Sequence, residues 1–135
     1  MSKAESPEIR RVKIYFDGNK TPEAVTCSYV LIDDLLRTNK QPVGFQKEET
    51  IKLPDETTVP QAEYQGLINA LSAMSDKKIE LEIFGDSQLA VKQILGEWEC
   101  KNAELRILRS QVRNLLNEFD KWSIQWVPRE QNKAK

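Results

Sequence analysis

The sequence predicts an α/β fold in which a five-stranded mixed sheet, with three antiparallel strands and then parallel strands, is flanked by helices. First, strand-like alternation dominates up to residue 53, whereas apolar residues recur at three-to-four spacing from residue 58 onward, interrupted by two further strand-like segments. Second, the first three strands have short links, which favours an antiparallel meander. The later strands are each reached through helices, which favours a parallel arrangement with strand one. Third, 135 residues without an internal repeat or linker suit one domain.

The first part of the chain contains the three antiparallel strands. Residues 1–10 are expected to form a flexible leader, and residues 11–135 the single domain. Runs rich in β-branched residues, bounded by turn residues, define the strands. The predicted segments are strand one at Val12–Phe16, strand two at Val25–Ile32, a turn at Asp33–Pro42 and strand three at Val43–Leu53.

The second part of the chain alternates helices with strands. Thr58 and Gln61 fit a capping box that begins the first helix, and Pro60 is tolerated in its first turn. Asn102 can cap the third helix. The predicted elements are a helix from Thr58 to Met74, a strand at Ile79–Phe84, a helix at Ser87–Gly96 that buries Val91, Ile94, Leu95 and Trp98, a third helix with an apolar stripe from Leu105 to Phe119, and a strand at Trp122–Val127.

Composition excludes several classes of function. A formal net charge of −1 provides no global basic field for nonspecific binding to nucleic acid. The absence of histidine excludes Ser-His-Asp triads and zinc sites built on histidine. The two cysteines fit no metal or redox spacing, and no signal peptide or membrane-spanning run is present. We therefore expect a cytoplasmic protein that makes no membrane contact, and we expect it to be a monomer.

Three carboxylates occupy informative positions. Asp17 and Asp86 each end a strand-like run, and Glu63 lies near the start of the helix between them. If strands one and four are parallel neighbours, the two aspartates lie side by side where open α/β sheets place ligands. Such carboxylates can hold divalent metal ions for phosphoryl chemistry. Each also has a structural interpretation: Asp17 as a turn residue, Asp86 as a helix N-cap and Glu63 as a favourable charge in the first turns of a helix.

Five short segments follow one another between residues 12 and 135. They are Tyr15-Phe16-Asp17-Gly18, Ala62-Glu63-Tyr64, Gly85-Asp86-Ser87-Gln88, Ile94-Leu95-Gly96-Glu97-Trp98 and Trp126-Val127-Pro128-Arg129-Glu130-Gln131-Asn132-Lys133. In residue type and order they resemble the ribonuclease H family, type 1. Each segment is a weak signal alone, but together with the order of helices and strands they are specific.

The resemblance implies a ribonuclease H-like fold and a metal-dependent endoribonuclease that hydrolyses the RNA strand of RNA–DNA hybrids. It further implies a two-metal mechanism with Mg²⁺ or Mn²⁺, leaving 5′-phosphate and 3′-hydroxyl ends. Asp17 would match the carboxylate that bridges both ions, Glu63 the one that also approaches the ribose 2′-hydroxyl, and Asp86 the ligand of the ion that activates water. Expected contacts with nucleic acid are Gly18, Asn19, Thr58, Ser87, Gln88, Arg129, Asn132 and Lys133.

Departures from the family pattern keep other functions open. By the family's spacing, a fourth carboxylate would follow Lys135, so either the chain is truncated or the protein lacks that ligand and the family's C-terminal helix. The family's Gly-rich stretch reads Asn19–Ala24 without glycine, and its Asn pair is replaced by Val59 and Pro60. The alternative is a catalytically impaired module that binds nucleic acid or a protein partner. A third hypothesis is a nuclease of the same fold that acts on double-stranded RNA.

Two further groups of residues admit both a structural and a functional interpretation. The tryptophans are expected in the core rather than as base-stacking platforms. The arginines of the third helix either contact phosphate or form a solvated face partnered by Glu104 and Glu118, and the solvated face is favoured. The residues concerned are Trp98, Trp122 and Trp126, and Arg106, Arg109 and Arg113.

Overall fold

The computed structural model describes residues 10–33 and 45–135. Residues 1–9 of the predicted leader, the turn at Asp33–Pro42 beyond its first residue, and the first two residues of predicted strand three lie outside the described residues. The elements are β1 (Arg11–Lys20), β2 (Val25–Asp33), β3 (Phe45–Leu53), α1 (Val59–Ser72), β4 (Glu80–Gly85), α2 (Gln88–Leu95), α3 (Ala103–Leu116) and β5 (Lys121–Trp126), followed by a 3₁₀ turn at Arg129–Gln131.

The five strands form one mixed sheet in the order β3-β2-β1-β4-β5. β2 pairs antiparallel with both β1 and β3, whereas β4 pairs parallel with both β1 and β5. This topology confirms the predicted fold class. The register between β1 and β4 places Phe16 opposite Gly85, so Asp17 and Asp86 follow side by side at the same edge of the sheet.

The helices cover one face of the sheet and bury its apolar residues. Alternation along β1 directs Val12, Ile14 and Phe16 to that face, and all three are buried. They pack into one core cluster with apolar residues of the helices, such as Leu67 of α1 and Val112 of α3. The predicted capping box begins α1: the Thr58 hydroxyl accepts from the amide of Gln61, and the Gln61 side chain accepts from the amide of Thr58.

Three predictions of burial were wrong, and each concerns a residue at the edge of the core. Leu95 is the last residue of α2, and Gly96 ends that helix with φ 85°, so the chain turns outward and leaves both Leu95 and Trp98 exposed. Trp126 lies at the end of the edge strand β5 and is 42% exposed. Trp122 is half-buried and packs against the core.

The arginines of α3 form contacts that the solvated-face interpretation did not include. The Nε atom of Arg109 donates to the carbonyl oxygen of Gln93 at 2.6 Å, and Nη2 of Arg113 donates to that of Ile94 at 2.7 Å. These carbonyls belong to the last turn of α2, where backbone oxygens lack helical partners. The two arginines therefore tie α3 to the end of α2, and contact with phosphate stays a prediction.

No helix within the described ranges is both long and apolar enough to cross a membrane.

Candidate metal centre

Three carboxylates from three elements converge at one edge of the sheet. Asp17 lies within β1, Glu63 in the second turn of α1, and Asp86 directly after β4. Each offers a carboxylate oxygen, and the three oxygens lie within 4.8 Å of one another. Asp17 is 3% and Glu63 8% exposed. Like charges buried this close together require a counter-charge or shared protons.

Two of the structural interpretations of these carboxylates, those for Asp17 and Asp86, are wrong. β1 continues three residues beyond Asp17 to Lys20, so Asp17 neither ends the strand nor lies in the turn that follows. The N-cap of α2 is Ser87, whose hydroxyl accepts from the amide of Ala90 at 3.1 Å, and Asp86 precedes it. Glu63 lies in the second turn of α1, after a first turn without acidic residues, and its interpretation as a favourable charge near the start of that helix stays open.

Gly18 allows the helix that carries Glu63 to press against β1. An ideal Cβ atom at Gly18 would lie 2.5 Å from the amide nitrogen of Glu63 and 2.7 Å from the carbonyl carbon of Ala62. No side chain fits at such distances, so glycine is required for this close approach. Gly18 is buried here, and its predicted contact with nucleic acid stays a prediction.

Asp86 is held by contacts from β5 and from the segment after it. The indole Nε1 of Trp126 donates to the backbone oxygen of Asp86 at 3.0 Å. The side-chain amide of Asn132 donates to Oδ2 of Asp86 at 3.2 Å. Trp126 was not among the predicted site residues, although the pairing of β4 with β5, which sets it opposite Gly85, could have indicated its position.

Arg129 supplies a positive charge between two of the carboxylates. Its Nη1 atom lies 3.3 Å from Oδ1 of Asp17 and 3.2 Å from Oδ2 of Asp86. The guanidinium group is therefore a cation that contacts both side chains at once. Its own side chain is 55% exposed, so the charge lies at the open side of the site.

Burial raises the pKa of both interior carboxyls. The pKa of Asp17 is raised to about 6, mainly by burial and also by the charge of Asp86, with Arg129 opposing the rise. The pKa of Glu63 is raised to about 7, again mainly by burial, with a hydrogen bond to Ser87 opposing it. Both shifts disfavour the charged forms, and a cation bound at the cluster would favour them.

These shifts predict that stability without metal decreases as the pH rises. Because the pKa values of Asp17 and Glu63 are raised in the folded state, the folded protein binds more protons than the unfolded chain between about pH 4 and pH 7. Their stabilising contribution is present below that window and is lost as the pH rises through about 7. We expect the free energy of unfolding to fall by several kcal/mol in total from these two groups.

Urea denaturation in EDTA between pH 5 and pH 8 measures this loss. Glu63→Gln is the matched control, because glutamine keeps the shape of the side chain without titrating. The variant should show a flatter dependence of unfolding free energy on pH. Identical slopes for the variant and the parent protein would contradict the assignment.

Asn132 pins the segment after β5 onto β1. It is 1% exposed, and its amide nitrogen donates to the backbone oxygen of Phe16 at 2.9 Å. Its side-chain oxygen accepts from the amide of Ala134 at 3.0 Å, and the Ala134 oxygen accepts from the hydroxyl of Ser28 at 2.7 Å. This buried position favours a structural role for Asn132, and its predicted contact with nucleic acid stays a prediction.

Asn132→Ala is expected to lower the free energy of unfolding by about 1–3 kcal/mol, because it removes buried hydrogen bonds to the backbone of Phe16 and Ala134. Chemical denaturation measures the loss. Gln131→Ala, at the exposed neighbouring position, is the control and should leave stability nearly unchanged. A loss of the same size in both variants would contradict this role.

The other predicted nucleic-acid contacts differ in their exposure to solvent. Asn19, Gln88 and Lys133 are exposed, and Ser87, the N-cap of α2, is half-buried. Thr58 is exposed, but its hydroxyl is engaged in the cap of α1. The Nζ atom of Lys133 lies 5.8 Å from the centre of the Tyr15 ring. The exposed side chains are free to meet a ligand, and such contact stays a prediction.

Comparison with known proteins gives consistent similarities. The family described as Reverse transcriptase-like matches residues 36–134. Ribonuclease HI of Halobacterium salinarum is 39% identical over 127 residues, which cover 90% of this chain and 59% of that protein. The chain therefore spans about three-fifths of the length of this relative.

Solved structures show the same architecture. The crystal structure of RNase H1 from Halobacterium salinarum superposes with a TM-score of 0.70 at 35% identity, covering 91% of this chain and 89% of that one. The N-terminal RNase H domain of Rv2228c from Mycobacterium tuberculosis gives a TM-score of 0.64 at 26% identity, covering 91% and 86%. LC11-RNase H1 in complex with an RNA/DNA hybrid gives 0.68 at 24% identity, covering 90% and 88%, which shows a shared fold.

Proposed function

Because the chain belongs to the ribonuclease H family, type 1, we propose that it is a metal-dependent endoribonuclease that hydrolyses the RNA strand of RNA–DNA hybrids. The observation that carries the proposal is the convergence of Asp17, Glu63 and Asp86, whose carboxylate oxygens lie within 4.8 Å of one another. The family resemblance assigns the hybrid as substrate, and the carboxylate cluster supplies a site for the chemistry.

The three side chains fit divalent metal ions. Carboxylate oxygens are hard ligands of the kind that Mg²⁺ and Mn²⁺ prefer. The cluster already attracts a cation, since the guanidinium group of Arg129 contacts two of its members. We propose that Asp17, Glu63 and Asp86 hold two such ions. When bound, a metal pair stabilises charge on the attacking and leaving oxygens of an in-line displacement.

The chain's own residues would orient the RNA strand at this site. Asp17, buried in β1 and fixed by strand pairing, would set the position of the reacting phosphate. Glu63 lies on α1, which packs closely against β1 at Gly18. Its carboxylate would approach the ribose 2′-hydroxyl and so distinguish RNA from DNA. Cleavage on this geometry is proposed to leave a 5′-phosphate and a 3′-hydroxyl.

The exposed side chains around the cluster are proposed to contact the backbone of the hybrid. Asn19 lies next to the last residue of β1, Lys133 lies near the Tyr15 ring, and Gln88 begins α2. Gly18, Thr58, Ser87, Arg129 and Asn132 remain proposed contacts, although Gly18 and Asn132 are buried in this structure. Because the net charge of the chain is −1, affinity for nucleic acid depends on these local contacts.

Cleavage of an end-labelled RNA–DNA hybrid tests the proposal. We expect the RNA strand to be cut in Mg²⁺ or Mn²⁺ and to remain intact in EDTA, with unlabelled hybrid competing better than double-stranded RNA or DNA. Stronger competition by double-stranded RNA would favour that substrate instead. Binding of the hybrid without cleavage in either metal would overturn the proposal and support a noncatalytic binding module.

A further inference from the structure

We propose that Arg129 is a built-in counter-ion of the metal centre: it neutralises Asp17 and Asp86 when no metal is bound, and metal binding displaces it. The inference rests on the metal site of the proposed function, and it does not depend on the substrate. It adds a step in which the metal must compete with a side chain of the same chain.

The contacts place one atom of Arg129 against two of the oxygens that a bound ion would use. A single Nη1 lies 3.3 Å from Oδ1 of Asp17 and 3.2 Å from Oδ2 of Asp86. These oxygens belong to the cluster that can hold a metal ion. Because a guanidinium and a divalent cation repel each other and would compete for the same two oxygens, binding of the ion opposes the contacts of Arg129.

The need for a counter-charge follows from burial. Asp17 is 3% exposed, and the side chain of Asp86 is 9% exposed. Leaving two such charges without a partner is costly in a medium of low polarity. Asn132 offers Asp86 a hydrogen-bond donor but no charge. Among the described residues, Arg129 is the cation that forms salt bridges with either aspartate.

The position of Arg129 allows it to leave without disturbing the fold. Its side chain is 55% exposed, and it begins the 3₁₀ turn after Pro128. That turn is held by its own backbone bonds, from Gln131 to Pro128 and from Asn132 to Arg129, and by the buried side chain of Asn132. A rotation of the Arg129 side chain alone would therefore open the position between the two carboxylates.

Calorimetric titration with Mn²⁺, in the absence of nucleic acid, tests the inference. Arg129→Ala should bind the ion about tenfold more tightly than the parent protein, because the ion no longer displaces a side chain. Lys133→Ala is the matched control: it removes one positive charge from the same segment, and Lys133 contacts the Tyr15 ring rather than the carboxylates. Its affinity should change by less than about twofold.

A second readout separates displacement from a general change of charge. Thermal unfolding in EDTA should occur at a lower temperature for Arg129→Ala than for the parent protein, because Asp17 and Asp86 lose their counter-ion. In saturating Mn²⁺ the two melting temperatures should converge. The increase caused by metal should therefore be larger in Arg129→Ala than in either Lys133→Ala or the parent protein.

Equal affinities for Mn²⁺ in Arg129→Ala and the parent protein would overturn the inference, as would equal tightening in Arg129→Ala and Lys133→Ala. These outcomes leave the proposed nuclease function standing, since the metal would still bind. If Arg129→Ala alone binds Mn²⁺ more tightly and the parent protein does not cleave the hybrid, the counter-ion inference would stand and the proposed nuclease function would be overturned. Absence of Mn²⁺ binding in all three proteins would overturn both.

Discussion

Replacing Asp17 by asparagine is expected to reduce the rate of RNA cleavage at least about a thousandfold while the protein stays folded. Asp17 lies at the centre of the cluster, where it shares Arg129 with Asp86 and lies within reach of Glu63. Asparagine keeps the size of the side chain and removes the charge that a divalent ion requires. Because that charge is buried, its removal should not unfold the protein.

Single-turnover cleavage of labelled hybrid in Mg²⁺ measures this loss, and circular dichroism checks the fold. Asp55→Asn, which alters an exposed carboxylate between β3 and α1, is the matched control and should retain cleavage. Full activity in Asp17→Asn would remove this carboxylate from the reaction. Equal losses in both variants would point to a general effect of charge instead.

Gly18→Ala is expected to lower the free energy of unfolding by about 3 kcal/mol. The added Cβ atom would meet the backbone of α1 at 2.5 Å, and backbone atoms cannot move aside as the end of a long side chain can. The helix must shift away from β1 and would carry Glu63 with it. We therefore expect a weaker fold and, in the fraction that folds, a slower cleavage rate.

Urea denaturation of Gly18→Ala beside Asn19→Ala separates packing from a general effect of substitution in β1. Asn19 is exposed, and truncation of its side chain should cost less than about 0.5 kcal/mol. A loss below about 1 kcal/mol in Gly18→Ala would show that β1 and α1 do not require this close contact.

Local chemistry made much of the fold predictable from the sequence. The capping box at Thr58 and the N-cap at Asn102 begin α1 and α3 where expected, because both depend on residues three positions apart. The meander of β1 to β3 and the parallel placement of β4 and β5 follow from the lengths of the connections. The meeting of Asp17 with Asp86 follows in turn from that topology.

Contacts between distant parts of the chain were not predictable in this way. The periodicity of α2 predicted burial of Leu95, but Gly96 ends the helix there. Whether Leu95 is buried then depends on the path of the residues that follow. Arg109 and Arg113 share a face of α3, yet their partners are the carbonyls at the end of α2. The sequence likewise indicated Arg129 as a contact with nucleic acid, without showing that it bridges two carboxylates in the folded chain.

Anomalous diffraction from a crystal of this protein soaked in Mn²⁺ tests most directly whether the three carboxylates form a metal centre. We predict two peaks roughly 3.5–4 Å apart, with Asp17 touching both and the side chain of Arg129 turned away from the carboxylates. Peaks elsewhere, or none between Asp17, Glu63 and Asp86 at a Mn²⁺ concentration that supports cleavage, would contradict the account.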